Sequence, residues 1–410
     1  MRIGKVLIML VFLIFVFGTV VNAEAPEITA TSATVIDCLD GKILYSKNAD
    51  EKLYPASITQ ILTAILVVEN CGIQEEVTVS QKAINDVQSG YLTANIKAGE
   101  VLTVEQLLNL LMISSYSDVA NVLAEHVAGS TDAFVEMMNS KATQIGCTNS
   151  NFVNCHGEHN ANHYSTAHDI ALIGKYAAQY DAIINAADQT TYVLGITNKY
   201  DKGERTYYTA NAMLMSSSNN YYRYAKGLKT GFTTPAGYCI ITYSEKNDIP
   251  LVSVVMKSTT SDSRYEDAKK ILDYAYQNNT IKTIAKLGTN VQTINIKGAT
   301  SDTKKLNVIL ENTVTAVVNV ANEDKNVEPK ISLYENLRAP IKKGQVIGTV
   351  SYEIEGKTYS VNLIAESEVE KSYAVVVFII IFICIIILIG FLRVQSIRRR
   401  TKVLKKIRGK

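Results

Sequence analysis

Two short segments of this 410-residue chain carry side chains suited to nucleophilic chemistry. Pro55-Ala56-Ser57 precedes apolar residues at helical spacing, so Ser57 is expected at or near a helix N-terminus. The free backbone N–H groups of a helix N-terminus can cap a side chain or stabilise an oxyanion. Lys229-Thr230-Gly231 stands far downstream, before a strand predicted to begin near Tyr238. Neither segment is specific alone, because a capping serine is ordinary and this tripeptide occurs by chance.

The segments that must position these residues predict a mixed α+β domain over residues 28–287. Asp40-Gly41 lies between two β-like runs and predicts a hairpin. Sheet strands are expected near both ends of the domain with helices between them. The predicted helices are 57–70, 106–127 and 265–276, and the predicted later strands are 238–244 and 251–256.

The pattern changes after Gly288. Short strands separated by turns such as Glu355-Gly356-Lys357 predict a small β-sandwich-like domain over 289–366, followed by a polar stalk at 367–372. The predicted strands are 291–296, 306–310, 314–320, 346–350 and 359–364.

Both termini carry membrane signals. Residues 1–23 combine a basic start, an apolar run and a small-residue cleavage site, which predicts a signal peptide; an uncleaved anchor is the alternative. Residues 373–392 have no charge and are long enough to cross a bilayer. The tail at 393–410 holds nine Lys/Arg and no acid, which places it in the cytoplasm and in contact with lipid. The domains before the span are therefore predicted to be extracytoplasmic.

Charge and cysteine content exclude several classes of protein. The part between the two termini, residues 24–392, has 30 basic and 39 acidic residues, a net charge of −9 that does not suit nucleic-acid binding. The hydrophobic content of 47% excludes a disordered chain. Five of the six cysteines lie outside the apolar span, an odd number without a C-x-x-C spacing, so a disulfide scaffold is not expected. A Cys147–Cys155 bridge remains open.

In this order, Ser57 and Lys229-Thr230-Gly231 resemble two of the three motifs of penicillin-binding proteins, S-x-x-K, S-x-N and K-T-G. Longer segments across about 30–285 resemble the serine D-alanyl-D-alanine carboxypeptidases of peptidase family S11. They are 32–37, 43–49, 54–57, 123–126, 152–154, 163–167 and 227–231. Residues 339–345 resemble the β-rich C-terminal domain of the same enzymes. The resemblance implies a β-lactamase/transpeptidase-like fold, an antiparallel sheet flanked by helices.

The catalytic set departs from the family pattern. Where the family has the general-base Lys of the first motif, this chain has Gln60, whose amide does not accept a proton near neutral pH. The second motif is Ser115-Tyr116-Ser117, so its Ser is present but Ser117 replaces the Asn that would hold the substrate amide. Only the third motif is intact. The resemblance implies that Lys229 and Thr230 hold the substrate carboxylate, and that the N–H groups of Ser57 and Phe232, beside Gly231, form the oxyanion hole.

Other residues offer weaker alternatives. Ser301-Asp302-Thr303-Lys304 and Ser218-Asn219-Asn220 have motif spacing but no suitable helix, and Tyr116 is displaced by one position from a base. Residues 216–224 are expected to form a loop near the site, with a ligand-contacting lid as the alternative. His156, His159, His163 and His168 suggest a metal site beside Glu158, Asp169 and Cys155. Because this segment resembles an ordinary family stretch, no metal and no cofactor are expected.

The sequence therefore predicts a membrane-anchored, extracytoplasmic D-Ala-D-Ala carboxypeptidase homologue that acts on or binds peptidoglycan stem peptides. Because the base and the amide holder are replaced, lost or very weak turnover is expected, with β-lactams as further ligands. The alternatives are an active carboxypeptidase that forms an acyl-Ser57 intermediate and a tethered structural domain without a ligand.

Overall fold

The computed structural model describes residues 24–407 and residue 409. The predicted signal peptide, 1–23, lies outside the described residues. The chain divides into two compact units. The first runs to Lys282 and includes Val317–Asp324, and the second comprises Thr283–Ala316 and Lys325–Lys410.

The first unit alternates between sheet and helix along the chain. Its strands are β1 (Ser32–Asp37), β2 (Ile43–Lys47), β3 (Glu76–Thr78), β4 (Val101–Thr103), β5 (Thr191–Leu194), β6 (Arg205–Tyr208), β7 (Ala225–Thr233), β8 (Gly237–Lys246) and β9 (Ile249–Ser258). Its helices are α1 (Gln60–Asn70), α2 (Gln81–Asn85), α3 (Val104–Ser114), α4 (Ser117–Ala128), α5 (Thr131–Ile145), α6 (Ala167–Ala177), α7 (Asp181–Ala187) and α8 (Ser261–Asn278). The predicted α+β class is confirmed.

An antiparallel five-stranded sheet forms the centre of this unit, in the order β2-β1-β9-β8-β7. Because side chains alternate along a strand, neighbouring residues face opposite layers. Ile240 of β8 packs with the core that includes α8, whereas Ile241 packs with the core that includes α1 and α6. The sheet is therefore covered on both faces, and β7 is one of its two edges.

Helix α1 lies inside the larger core. All of its residues from Gln60 to Val67 are buried, which is expected for a helix that is apolar on every side. A polar residue in the first turn of such a helix is consequently fixed inside the protein.

The prediction of one helix over 106–127 is wrong. Two helices, α3 and α4, are separated at Ser115 and Tyr116, and Ser115 has the left-handed backbone conformation with φ of +64°. Helix α3 begins at a capping box formed by Thr103 and Gln106. The apolar pattern crosses the break, so hydrophobic spacing alone did not indicate it.

The second unit contains an antiparallel five-stranded sheet, in the order β11-β12-β16-β15-β14. Its strands are β11 (Asn290–Asn295), β12 (Lys305–Leu310), β14 (Pro329–Leu333), β15 (Val346–Ile354) and β16 (Lys357–Ala365). Strands β10 (Asn279–Ala285) and β13 (Val314–Asn319) form a separate two-stranded sheet. The predicted all-β C-terminal domain is confirmed as a fold class.

A long helix, α9 (Ala374–Ile407), follows the second sheet. Its segment Ala374–Leu404 has a mean hydropathy of 3.7 and is long and apolar enough to cross a membrane. The side chains of α9 described up to Leu404 are exposed, as expected for a lipid-facing helix.

Candidate active site

Ser57 lies in a tight turn against the sheet. A 3-10 turn, Ala56–Thr59, carries Ser57 and leads directly into α1. Two glycines permit the backbone to come this close. A Cβ on Gly157, whose φ is +87°, would lie 2.0 Å from the carbonyl oxygen of Ala56, and one on Gly231 would lie 2.9 Å from the Ser57 nitrogen. Ser57 is therefore held between the loop at Gly157 and strand β7.

An open cleft of about 490 Å³ begins at Ser57. Its walls include all three predicted motif regions, represented by Ser57, Ser115, Ser117, Thr230, Gly231 and Phe232. The described lining residues include Arg264 but no aspartate or glutamate. The cleft is consequently a positively charged environment that suits an anionic ligand.

Gln60 lies behind this wall and is fully buried. Its amide nitrogen donates to the carbonyl oxygen of His156 at 3.1 Å and to that of Ser115 at 3.4 Å. Its Oε1 atom has no hydrogen-bond partner within the described part of the chain. The amide thus links α1 to two neighbouring segments, but it has no basic nitrogen.

Lys229 contacts Ser115 across the cleft. The buried ammonium of Lys229 donates a hydrogen bond to the Ser115 hydroxyl, and the left-handed backbone of Ser115 presents that hydroxyl toward β7. Burial, together with the positive charge of Arg264, lowers the pKa of Lys229 to about 7. The structure therefore brings together the third motif and the Ser of the second, and Lys229 gains or loses its proton near neutral pH.

Ser117, at the start of α4, has a buried carboxyl behind it. Burial raises the pKa of Glu158 to about 7, and a hydrogen bond with the Ser117 side chain opposes that shift. Glu158 is 2% exposed. Its backbone N–H donates to His156 Nδ1 at 3.2 Å, and burial lowers the pKa of His156 to about 4, so this imidazole is neutral. Glu158 therefore has no ion-pair partner in His156, although Glu158 Oε1 is 3.9 Å from His156 Nδ1.

Arg264 is a site residue that the sequence did not indicate. It projects from α8, is 7% exposed, and donates through Nη1 to the Gly231 carbonyl oxygen at 3.3 Å. Its Nη2 donates to the Tyr265 hydroxyl at 2.7 Å. An arginine within an amphipathic helix is ordinary, so only the folded structure shows that it reaches the cleft.

Three of the weaker candidates are not among the described residues that line this cleft, namely Tyr116, Ser218-Asn219-Asn220 and Ser301-Asp302-Thr303-Lys304. Tyr116 packs edge-on against Tyr207, and burial raises the pKa of its phenol, which opposes a role as base near neutral pH. Ser301 belongs to a turn between β11 and β12 in the second unit. Within 216–224, Tyr222 is buried and donates to Asp273 at 2.9 Å.

The clustered histidines have separate contacts. His159 lines the cleft and packs edge-on against Tyr54, whereas His163 Nε2 is 2.8 Å from the Thr59 hydroxyl. His168 is 3.4 Å from Asp50. These contacts hold the loop against neighbouring elements.

The thiols of Cys147 and Cys155 are free and have different partners. Cys147 Sγ contacts the carbonyl oxygen of Asp169 at 3.4 Å, and Cys155 Sγ contacts Asn121 Oδ1 at 3.3 Å. Burial raises the pKa of each thiol to about 12. The two cysteines are not bridged in this structure.

Comparison with known proteins identifies the family. Residues 19–260 match the family model for D-alanyl-D-alanine carboxypeptidase, and residues 280–371 match that for the C-terminal domain of penicillin-binding protein 5. The first match covers more than half of the chain, so the protein belongs to the D-alanyl-D-alanine carboxypeptidase family, as predicted.

Individual relatives agree with this assignment. The chain is 30% identical to D-alanyl-D-alanine carboxypeptidase DacA of Haemophilus influenzae, over 81% of this chain and 83% of that protein. It is 28% identical to DacF of Bacillus subtilis, over 85% and 88% respectively. The crystal structure of penicillin-binding protein 5 from Haemophilus influenzae superimposes with a TM-score of 0.69 at 27% identity, over 85% of this chain and all of that one. The predicted transpeptidase-like fold is therefore confirmed.

Proposed function

We propose that this protein is a membrane-anchored, extracytoplasmic homologue of the D-Ala-D-Ala carboxypeptidases that binds the D-Ala-D-Ala end of peptidoglycan stem peptides with lost or very weak turnover. The observation that carries the proposal is the position of Gln60. It occupies the buried first turn of α1 beside Ser57, where the family's base is expected, and its nitrogen donates to two carbonyl oxygens.

The cleft supports a peptide with a free carboxylate as ligand. Strand β7 is an edge of the sheet, and an edge strand offers free backbone N–H and C=O groups to an extended peptide. Thr230 and Arg264 line the cleft, and the Lys229 ammonium is hydrogen-bonded to the cleft-lining Ser115, so positive charge and a hydroxyl are available there. In this proposal Lys229 and Thr230 hold the terminal carboxylate, and the N–H groups of Ser57 and Phe232 face the reacting carbonyl oxygen.

The loss of a basic nitrogen at position 60 supports weak turnover. A general base contributes roughly 10²–10⁴-fold to the rate, or about 3–5 kcal/mol of barrier. The proposed oxyanion hole, formed by the N–H groups of Ser57 and Phe232, is retained, and the positive charge of Arg264 lines the same cleft as Ser57. A strained β-lactam amide, which needs less assistance from a base, is therefore expected to acylate Ser57 more readily than a peptide does.

The anchor supports a location at the membrane. Helix α9 is long and apolar enough to span, and the basic residues at 393–410 favour a cytoplasmic position for its far end. The first unit and the sheets of the second unit then lie on the outer face, where peptidoglycan is assembled.

The decisive experiment is covalent labelling of the full chain, in detergent, by a fluorescent penicillin, with Ser57→Ala as control. We expect slow labelling that disappears in Ser57→Ala, together with binding of a D-Ala-D-Ala peptide and little or no release of D-alanine. Fast release of D-alanine would favour the active carboxypeptidase instead. If the chain shows no labelling and no peptide binding, the remaining alternative is a tethered structural domain without a ligand.

Peptide binding should depend on pH through Lys229. Because its pKa is about 7, the ammonium that attracts a carboxylate is lost as the pH rises, so affinity is expected to fall up to tenfold per pH unit above 7. Binding of the peptide to Ser57→Ala from pH 6 to 9, measured by calorimetry, tests this. Lys229→Met in the same background should bind weakly at every pH, and a Lys229→Met profile identical to that of the parent would contradict the prediction.

A further inference from the structure

Glu158 is a buried carboxyl that the motif comparison does not explain. Its side chain lies behind Ser117, a cleft-lining residue, and interacts with the Ser117 hydroxyl. Its Oε1 atom has no hydrogen-bond partner among residues 24–407 and 409. A buried carboxylate without a counter-ion costs free energy, so its presence beside the reacting groups requires a reason.

The groups around Glu158 do not neutralise it. His156, from the same loop, is neutral, and burial raises the pKa of the Cys155 thiol to about 12. The backbone N–H of Gln88 donates to Glu158, and Asp118, next to Ser117 on α4, has its pKa raised by burial to about 6. Lys229, on β7, is the titratable cation among the cleft motifs and contacts Ser115 rather than Glu158. Glu158 therefore titrates near neutral pH chiefly because it is buried.

We propose that Glu158, acting through the Ser117 hydroxyl, is the proton acceptor that supports the remaining acylation of Ser57. Gln60 and Glu158 both contact His156, one at its carbonyl oxygen and the other at Nδ1, so the ionisable group stands close to the place where the first motif has lost one. Glu158 acts through Ser117 and does not itself reach the ligand, since Ser117 rather than Glu158 lines the cleft. The proposal rests on the proposed function, because it assigns a role within the same cleft.

The proposed acylation uses only these side chains and, at most, one bridging water. Ser57 Oγ forms a bond to the β-lactam carbonyl carbon while the ring C–N bond breaks. The Ser57 proton passes to the Ser117 oxygen, directly or through one water, and the Ser117 proton passes to the Glu158 carboxylate. The ring nitrogen takes a proton from the Lys229 ammonium through the Ser115 hydroxyl, with which Lys229 is hydrogen-bonded. The products are the acyl-Ser57 ester, a neutral Glu158 and a neutral Lys229.

This relay predicts a characteristic pH profile. Acylation requires Glu158 ionised and Lys229 protonated, so the rate of penicillin labelling by the full chain should be highest near pH 7 and fall about tenfold per pH unit below pH 6. In Glu158→Gln we expect a rate about 10- to 100-fold lower at pH 7 and no fall between pH 6 and pH 5, because only the Lys229 limb remains. Ser117→Ala should behave alike, and Glu158→Asp should retain part of the rate with the acid limb.

Matched measurements separate this role from a structural one. Glu125→Gln removes a half-buried carboxylate of α4 that bonds Ser80 outside the cleft, and should keep the acid limb. Thermal unfolding at pH 5 and pH 8 shows whether each variant folds. Since the folded-state pKa of Glu158 is raised, ionisation of this buried carboxyl lowers the free energy of unfolding as the pH rises from about 4.5 to 7. Glu158→Gln removes this loss, so the stability of the variant relative to wild type should be greater at pH 8 than at pH 5.

Two results would overturn the proposal. An unchanged rate and acid limb in folded Glu158→Gln would remove Glu158 from the reaction. A wild-type chain that does not react with penicillin would also refute it, because no acylation would then need support. The proposed function is judged separately, by binding of a D-Ala-D-Ala peptide to Ser57→Ala.

Discussion

Replacing Gln60 by Lys and Ser117 by Asn in one chain should restore carboxypeptidase turnover, with D-alanine release rising on the order of 10²-fold or more. The Lys amine would start from the buried first turn of α1, beside Ser57, where it can accept the nucleophile's proton. Asn at 117 would extend toward the cleft that Ser117 lines and supply the missing amide contact. D-alanine release and penicillin acylation by the full chain measure the two steps.

The single variant Gln60→Lys is the informative control for this prediction. Gln60 and Glu158 contact the same residue, His156, so a new ammonium at position 60 would lie near an ionised carboxylate that holds it protonated. We therefore expect a smaller gain from Gln60→Lys alone at pH 7 and a larger one when Glu158→Gln is added. If no combination containing Gln60→Lys accelerates acylation, the missing amine is not the reason that this site is weak.

Gly157→Ala is expected to abolish penicillin labelling and to lower the melting temperature by several degrees. The new Cβ would lie 2.0 Å from the Ala56 carbonyl oxygen and 2.8 Å from the Ser57 nitrogen, so the turn that carries the nucleophile must move. A positive φ of +87° adds strain for any side chain. Misplacement of a reacting atom by about 1 Å can cost 10²-fold in rate, and the N–H of Ser57 would move with it.

Gly129→Ala provides a matched comparison. Gly129 also has a positive φ, +78°, but a Cβ there would meet nothing within 4 Å. This variant should lose about 1 kcal/mol of stability from backbone strain and keep its labelling rate. Equal labelling by both variants would show that the close approach of Gly157 does not position Ser57.

The hydrophobic pattern predicted the β1–β2 hairpin, strands β8 and β9 and helices α1 and α8, but not strand β7, helix α6 or the break at Ser115. Apolar residues continue from α3 into α4, so local spacing favours one helix. The break depends on a left-handed serine, whose conformation is uncommon outside glycine and asparagine. The contact of Ser115 with Lys229 joins residues 114 positions apart, and such long-range contacts are not visible in a local pattern.

Some site residues were indicated by a sequence motif, whereas others became evident only in the folded structure. Lys229-Thr230-Gly231 was found by its motif and precedes the strand expected near Tyr238, which is β8, but it also lies inside a strand that was not predicted, β7. Arg264 was not predicted as a site residue, and Glu158 was considered only beside the histidine cluster, because neither belongs to a motif and a charged residue is normally expected at the surface. Their importance follows from burial, 7% and 2% exposed, which is a property of the whole fold.

Strand β14 of the second unit was missed for a different physical reason. β14 contains Pro329 and is an exposed edge of the second sheet. Proline removes a backbone donor, and an edge strand needs no buried face, so neither alternation nor apolar content indicated a strand.

The free, buried thiols have a consequence for the folding of the chain. Disulfide exchange proceeds through the thiolate, and pKa values of about 12 for Cys147 and Cys155 leave a thiolate fraction of about 10⁻⁵ at pH 7. Once folded, these cysteines are therefore kinetically inert toward oxidants and mixed disulfides. Oxidation of these two thiols is therefore confined to the interval before the core closes, so the speed of core closure determines whether Cys147 and Cys155 avoid mispaired products.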